Sequence, residues 1–316
     1  MTQHTLSVVI PVYNSQGSLS PLIEQLAQTL PQISSSYEVI LVNDASRDAS
    51  WEMISQLAQN YDWVRGINLM RNYGQHNALL CGIRSAAYEL VVTIDDDLQH
   101  PPDEIQKLIA RLDEGFDVVY GTPMREQHGF LRDMASQVTK LALQSAMGVE
   151  TARKVSAFRV FRTKVRDAFV SYQGPHVSID VLLTWGTTRF SAVNVRHDPR
   201  KIGVSNYTLR KLITHALNMM TGFSVLPLQV ASLMGVVLAC FSVILLIFVF
   251  VRFVIEGTPV PGFPFLASVI GIFSGAQLLA LGIIGEYLAR MHFRLMDKPS
   301  YVVRERAEQS PDQTDE

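Results

Sequence analysis

Short apolar runs rich in Val and Ile begin near Leu6 (LSVVIPV), Tyr37 (YEVILV), Val64 (VRGINL), Leu90 (LVVTI) and Asp117 (DVVYG), at a nearly regular spacing. Continuous runs of this length fit strands buried on both faces. Between them, helical patterns over Leu19–Leu30, Trp51–Gln59, His76–Ala87 and Pro102–Leu112 predict helices. Strand and helix in alternation predict βαβ units and a mostly parallel sheet, because parallel neighbours need a crossover and the crossover is a helix. The chain carries no internal repeat beyond this alternation.

The pattern changes towards the C-terminus. No Asp, Glu, Lys or Arg occurs between Lys211 and Arg252, and none between Glu256 and Glu286. A hydrocarbon core needs about 20 apolar residues as a helix, which predicts spans over Leu226–Val251 and Phe263–Leu288, joined by a turn at Gly257, Pro259, Pro261 and Pro264. Arg200, Lys201, Arg210 and Lys211 precede the pair and Arg290, Arg294, Lys298, Arg304 and Arg306 follow it. Positive flanks place both ends in the cytoplasm. The apolar stretch Leu6–Ile10 is short, is broken by Pro11 and lacks a cationic leader, so no secretory signal is expected. Two amphipathic stripes, Leu209 to Met220 and Leu131 to Ser145, suit helices at the membrane interface, although the second fits a core-facing helix equally well. The polar segment from Glu305 to Glu316 is expected to be disordered. The expected organisation is an α/β domain over 1–200, a juxtamembrane segment over 201–225, two transmembrane helices over 226–288 and a cytosolic tail over 289–316. This describes a multi-pass protein of the cytoplasmic (inner) membrane with its catalytic domain in the cytosol.

Charge and cysteine content narrow the chemistry. With 27 Lys plus Arg against 29 Asp plus Glu, no global basic field attracts nucleic acid. Cys81 and Cys240 are too few for a disulfide framework or a cysteine zinc site. In parallel sheets ligands bind at the carboxyl ends of the strands. Here those ends read Pro11-Val12-Tyr13-Asn14, Asn43-Asp44-Ala45-Ser46, Arg71-Asn72-Tyr73-Gly74 and Asp95-Asp96-Asp97. Neither GxGxxG nor GxxxxGK[ST] occurs, which excludes the usual dinucleotide and P-loop cradles. Asp95 and Asp97, as alternate residues after an apolar strand, suit a hard divalent ion that prefers oxygen ligands. Asp44 can accept hydrogen bonds from a ribose or base, or cap the following helix. The histidines His76, His128, His176 and His197 lack metal-ligand spacing.

The ordered set VVIPVYN (8–14), VNDAS (42–46), NLMRNYGQHNAL (68–79), TIDDDLQHPP (93–102), FSVLPL (223–228) and GEYLAR (285–290), with the basic segment 200–211, resembles the family 2 glycosyltransferases of GT-A fold. The likeness is greatest to their polyprenyl-phosphate members, the dolichol-phosphate mannose synthases and bacterial undecaprenyl-phosphate sugar transferases. It implies a GT-A, Rossmann-like domain with a two-helix membrane hairpin, a nucleotide-diphosphate sugar donor, a polyprenyl phosphate acceptor, the lipid bilayer as a partner and a homo-oligomer. It further implies that Pro11, Tyr13, Asn14, Asp44, Arg71 and Asp96 bind the nucleotide, and that Asp95 and Asp97, with Gln99 beside them, hold Mg²⁺ or Mn²⁺. Arg200 would meet the diphosphate, and Arg125, Arg132 and Ser136 the acceptor phosphate. The chain departs from the family at Ser15, Ala157 and Asn206, where relatives often place an acidic residue, an aspartate and a lysine. A lipid phosphate is already ionised at pH 7, so no general base is obligatory. Two other readings stand beside this one: a processive polysaccharide synthase, and a membrane-anchored protein that binds nucleotide sugars without turnover.

Overall fold

The computed structural model describes residues 4–123, 154–174, 177–199, 226–256, 262–296 and 298–308. The chain divides into two compact units, one of residues 1–212 with 297–316, the other of residues 213–296.

In the first unit the expected alternation is present: β1 Thr5–Val12, α1 Gln16–Ile33, β2 Ser36–Asn43, α2 Ser50–Asn60, β3 Val64–Leu69, α3 Gln75–Ser85, β4 Leu90–Thr93, a 3₁₀ turn Pro102–Glu104, α4 Ile105–Asp113 and β5 Val118–Pro123. Three further strands, β6 Arg159–Arg162, β7 Phe190–Val195 and β8 Val303–Ala307, complete an eight-stranded sheet of order β7-β5-β6-β4-β1-β2-β3-β8. A short helix, α5 Ile179–Gly186, precedes β7. The pairs β1–β2, β2–β3, β1–β4 and β5–β7 are parallel. β6 runs antiparallel between β4 and β5, and β8 antiparallel along β3.

The parallel strands are buried on both faces, which accounts for their unbroken apolar runs: Val8, Val9 and Ile10 are all fully buried, as are Val39, Ile40 and Leu41. α1 covers one face with Leu19, Leu22, Ile23, Leu26 and Leu30, a stripe at three- and four-residue steps. α3 lies close against the sheet at Gly82, where a Cβ would stand 2.3 Å from Val9 Cγ1. Only glycine permits that approach.

The start of the segment Glu305 to Glu316, expected to be disordered, instead belongs to an edge strand, β8, in which Asn68 pairs with Glu305 and Ile67 with Arg306; residues 309–316 lie outside the described residues. The charged residues of β8 suit an edge, where polar side chains discourage pairing with another chain.

The second unit contains α6 Leu226–Glu256 and α7 Phe263–Leu295, which pack against each other. Within them Leu228–Ile255 and Ile272–Ala289 are long and apolar enough to cross a bilayer, and neither stretch is buried by protein. Side chains such as Ile244, Phe248, Leu278 and Leu281 are more than half exposed. Helices this apolar, with no protein cover, suit a bilayer. Both expected amphipathic stretches, 131–145 and 209–220, lie outside the described residues.

Candidate active site

β1 is hydrogen-bonded to β2 on one side and β4 on the other, so the crossovers diverge there and leave a crevice at the carboxyl ends. A cleft of about 240 Å³ opens at that point, lined by Pro11 to Tyr13, Asp44, Asn72, Gly74, Gln75 and Asp95 to Asp97. The four expected strand ends are therefore brought together. Among the described residues, the three non-glycine positions with left-handed backbone are Asn14 (φ 54°), Ala45 (φ 52°) and Leu98 (φ 61°), each just beyond one of these strands. Such conformations persist where the surroundings over-determine them, and they gather at functional sites.

On the β1–β2–β3 side the polar groups are tied to one another. Asp44, 3% exposed, accepts the Tyr73 N–H at 2.7 Å on one oxygen and the Gly74 N–H at 2.8 Å on the other. Burial raises its carboxyl pKa, and the two amides partly offset that. Asp44 thus anchors the turn at Gly74 (φ 94°), which starts α3, rather than capping α2. Tyr13 is 40% exposed and offers a ring to the cleft. Arg71 is not among the lining residues; its guanidinium stacks 4.5 Å over the Tyr73 ring. Asn14, which is exposed, is likewise not among the lining residues; it is joined to the β2–α2 loop through its N–H to Ser46 Oγ at 3.0 Å and its Oδ1 to the Arg47 N–H at 2.8 Å.

The β4 side is crowded with anions. Burial, then repulsion from Asp97 and Asp96, pushes the Asp95 carboxyl up to about 7 against the pull of Arg159 and a 2.7 Å hydrogen bond from Gln75 Nε2. Burial also lifts Asp96 to about 6, with Asp97 adding to it and the Ser15 side chain opposing it. Asp97 Oδ1 accepts the Gln99 N–H at 3.1 Å, closing the tight turn through Leu98. The Gln99 carbonyl in turn accepts the Asp198 N–H at 2.9 Å. Acidic groups that raise one another's pKa in a half-closed cleft fit a hard divalent cation, whose charge would relieve them. Among the described residues no set of three or more His, Cys, Asp or Glu side chains is arranged to hold a metal. The protein's contribution would be the Asp95 and Asp97 carboxylates, leaving other positions for phosphate oxygens and water.

Several residues at or near the site carry no role in the sequence pattern. Gln75, the first residue of α3, fixes Asp95. Arg159, 2% exposed, forms an ion pair with Asp180 of α5, and its Nε donates to Thr93 Oγ1 at 3.0 Å. Tyr120 donates to the same Asp180 at 3.0 Å. His100 and His197, distant in sequence, meet with ring centroids 4.9 Å apart, and burial holds His100 neutral with a pKa lowered to about 4. His76 accepts the Ile179 N–H at 3.3 Å and so joins α3 to the start of α5. Only Gln75 had a local signal, as the first helical residue after a strand-end glycine. Arg125, Arg132, Ser136 and Arg200 lie outside the described residues, as do His128 and His176.

Residues 7–169 match the description "Glycosyl transferase family 2". The chain is 34% identical over 302 residues, 95% of its own length and 93% of the relative's, to the undecaprenyl-phosphate 4-deoxy-4-formamido-L-arabinose transferase of Proteus mirabilis. It is 33% identical over 309 residues to the protein of that name from Serratia proteamaculans, covering 97% and 95% of the two chains. Among solved structures it is similar to Mycobacterium tuberculosis glucosyl-3-phosphoglycerate synthase in complex with Mn²⁺, UDP and glucosyl-3-phosphoglycerate. The TM-score is 0.53, with 17% identity, over 69% of this chain and 78% of that one. At that identity the likeness concerns the fold, a GT-A glycosyltransferase domain.

Proposed function

The chain belongs to glycosyl transferase family 2, and from that premise we propose that it transfers one sugar from a nucleoside diphosphate sugar to a polyprenyl phosphate, such as undecaprenyl phosphate, at the cytoplasmic face of a membrane. The observation that carries this reading is one chain joining an acidic cleft at the sheet's switch point to two lipid-compatible helices, aligned over nearly its whole length with undecaprenyl-phosphate transferases. Neither a processive synthase nor a receptor without turnover is favoured by those relatives.

The α6–α7 pair holds the enzyme where its acceptor is, since a polyprenyl tail loses about 0.8 kcal/mol for each CH₂ taken out of lipid. The nucleoside enters against Pro11, Tyr13 and the Asp44-anchored turn, while Asp95 and Asp97 face the diphosphate. A divalent ion, Mg²⁺ or Mn²⁺, bound by these carboxylates would neutralise charge on the departing diphosphate. Gln75 keeps Asp95 oriented for that task, and Arg159 beneath it supplies compensating positive charge. Arg200, immediately before the juxtamembrane segment, opposes the diphosphate, and Arg125, Arg132 and Ser136 receive the acceptor phosphate. Bringing two anions together is the main barrier, and the already ionised lipid phosphate attacks the anomeric carbon in line as the carbon–oxygen bond to the nucleoside diphosphate breaks. Attack opposite the leaving group inverts the anomeric centre. No side-chain base is needed, which makes Ala157 compatible with turnover.

The test is to incubate the purified protein with a panel of nucleotide sugars, undecaprenyl phosphate and Mg²⁺ or Mn²⁺, and to weigh the lipid product. One lipid phosphate carrying one sugar is expected. A polymer, or sugar delivered only to water-soluble acceptors, would overturn the reading.

A further inference from the structure

Val12, Asn43, Asn68 and Glu305 are register partners on β1, β2, β3 and β8, a row that runs from the cleft to the edge of the sheet. Hydrogen bonds follow the row. Glu305 Oε1 accepts the Asn68 side-chain amide at 2.8 Å, and Asn68 Oδ1 accepts that of Asn43 at 2.8 Å. Asn43 Oδ1 accepts the Ser46 hydroxyl at 2.5 Å and the Ser46 N–H at 3.3 Å, and Ser46 Oγ accepts the Asn14 N–H at 3.0 Å. Asn43 and Asn68 are 2% and 6% exposed, so water is a poor substitute for either partner.

The direction of this relay is fixed at its outer end. An ionised carboxylate only accepts, so Glu305 turns the Asn68 NH₂ towards itself and leaves the Asn68 oxygen for Asn43. The Asn43 NH₂ is thereby committed, and its oxygen remains for Ser46. With its proton given to Asn43, Ser46 presents a lone pair to the N–H of Asn14. Reversing the order would set the Asn43 NH₂ against the Ser46 N–H, donor against donor. What the relay holds is Asn14, in a left-handed conformation next to Tyr13 of the cleft.

We infer that Glu305, on the strand that follows the apolar helices, is a positioning residue for the donor rim, acting through Asn68, Asn43 and Ser46 on Asn14. Its effect on turnover rests on the donor-cleft reading above; the relay itself does not. Glu305 is exposed, and substitutions there leave the core untouched.

The experiment compares E305A, E305Q and E305K with wild type in the full-length detergent-solubilised protein. Hydrogen–deuterium exchange is followed on peptides covering 12–16 and 43–48, with α4 as an internal reference, and affinity is measured for a panel of UDP, GDP, ADP and CDP with Mg²⁺. E305A and E305K are expected to speed exchange in both peptides and to weaken nucleotide binding by about fivefold to tenfold, the weight of one lost hydrogen bond, with kcat little changed. E305Q, whose carbonyl still accepts, is expected to restore wild-type behaviour. Unchanged exchange in both peptides for E305A, an equal rise in α4, or E305Q behaving as E305A would overturn the inference. If wild type binds no member of the panel, the donor reading falls while the exchange data still decide the relay.

Discussion

The two rims of the sheet use the same residue types in opposite ways. At the amino-terminal rim each acid named here has a protein partner. Glu38, buried at 5% exposure, accepts Ser7 Oγ, the Ala87 N–H and Arg65 Nη1, each at 2.7 Å. Asp117 accepts from Arg189 Nη2 at 3.0 Å and Thr187 Oγ1 at 2.6 Å, and these hydrogen bonds, Arg189 first, hold its carboxyl below the usual range. At the carboxyl rim three adjacent aspartates share the cleft, and Asp95 is pushed up to about 7 by burial and its neighbours. Acids satisfied within the protein stabilise the fold. Acids left in mutual repulsion beside a cleft are set for a ligand that brings positive charge.

The comparison breaks if one of the three adjacent aspartates, Asp95 to Asp97, proves to be structural. Asp97→Asn has the largest expected effect: turnover falls by at least about a thousandfold and metal-dependent nucleotide binding is lost, while the melting temperature holds or rises as repulsion is relieved. Radiolabelled sugar in the lipid extract and a melting curve read both. A variant with a lowered melting temperature but wild-type specific activity would place Asp97 with the amino-rim acids. Next comes Asp44→Asn, which sets an amide NH₂ against the Tyr73 or Gly74 N–H. The buried mismatch costs about 1–3 kcal/mol and loosens the turn, so KM for the donor should rise about tenfold or more with kcat less affected. A change in kcat alone would argue that Asp44 acts on the chemistry and not on the turn.

The amino rim should respond the other way. Arg65→Ala removes the cation facing buried Glu38 and frees Glu308, which Arg65 also contacts at 2.9 Å. A loss of about 1–3 kcal/mol in stability is expected, the penalty of a partly buried carboxylate left unpaired, with KM for the donor unchanged. Denaturant unfolding and steady-state kinetics on one preparation separate these outcomes.

How far each rim was legible in the sequence follows from the same physics. Parallel strands buried on both faces must be apolar throughout, so β1 to β5 stood out as unbroken runs, and the polar residues ending them marked the carboxyl rim. Asp44, Asp95 and Asp97 could be named on that ground alone. Strands β6 and β8 could not. β6, Arg159–Arg162, carries charge at both ends because Arg159 is buried against Asp180, a pairing across 21 residues that no local pattern announces. β8, at the sheet edge, is charged for the reason that edges are, and so reads as a tail. The amino-rim ion pairs join residues such as His4 and Asp113, brought together only by the fold.

That last contact gives the smallest and most specific prediction. His4 Nδ1 stands 3.1 Å from Glu89 Oε2 and Nε2 stands 2.8 Å from Asp113 Oδ1, so both ring nitrogens face carboxylates. Burial lowers its pKa, but the hydrogen bonds and charges of Glu89 and Asp113 outweigh that and leave the value raised above 6.5. The folded state therefore holds the proton more tightly than the unfolded chain. This contribution is fully present below pH 6.5 and is lost as the pH rises through the folded pKa. Glu89 and Asp113 are 50% and 39% exposed at their side chains, so solvent screening limits the effect to under about 1 kcal/mol. Melting temperatures of wild type and His4→Gln, measured from pH 5.5 to 8.5, should converge towards the alkaline end and separate towards the acid end, with wild type the more stable there. Separation that instead grows with pH would mean that the folded state holds His4 neutral, and the carboxylates of Glu89 and Asp113 would then not act on it as cation partners.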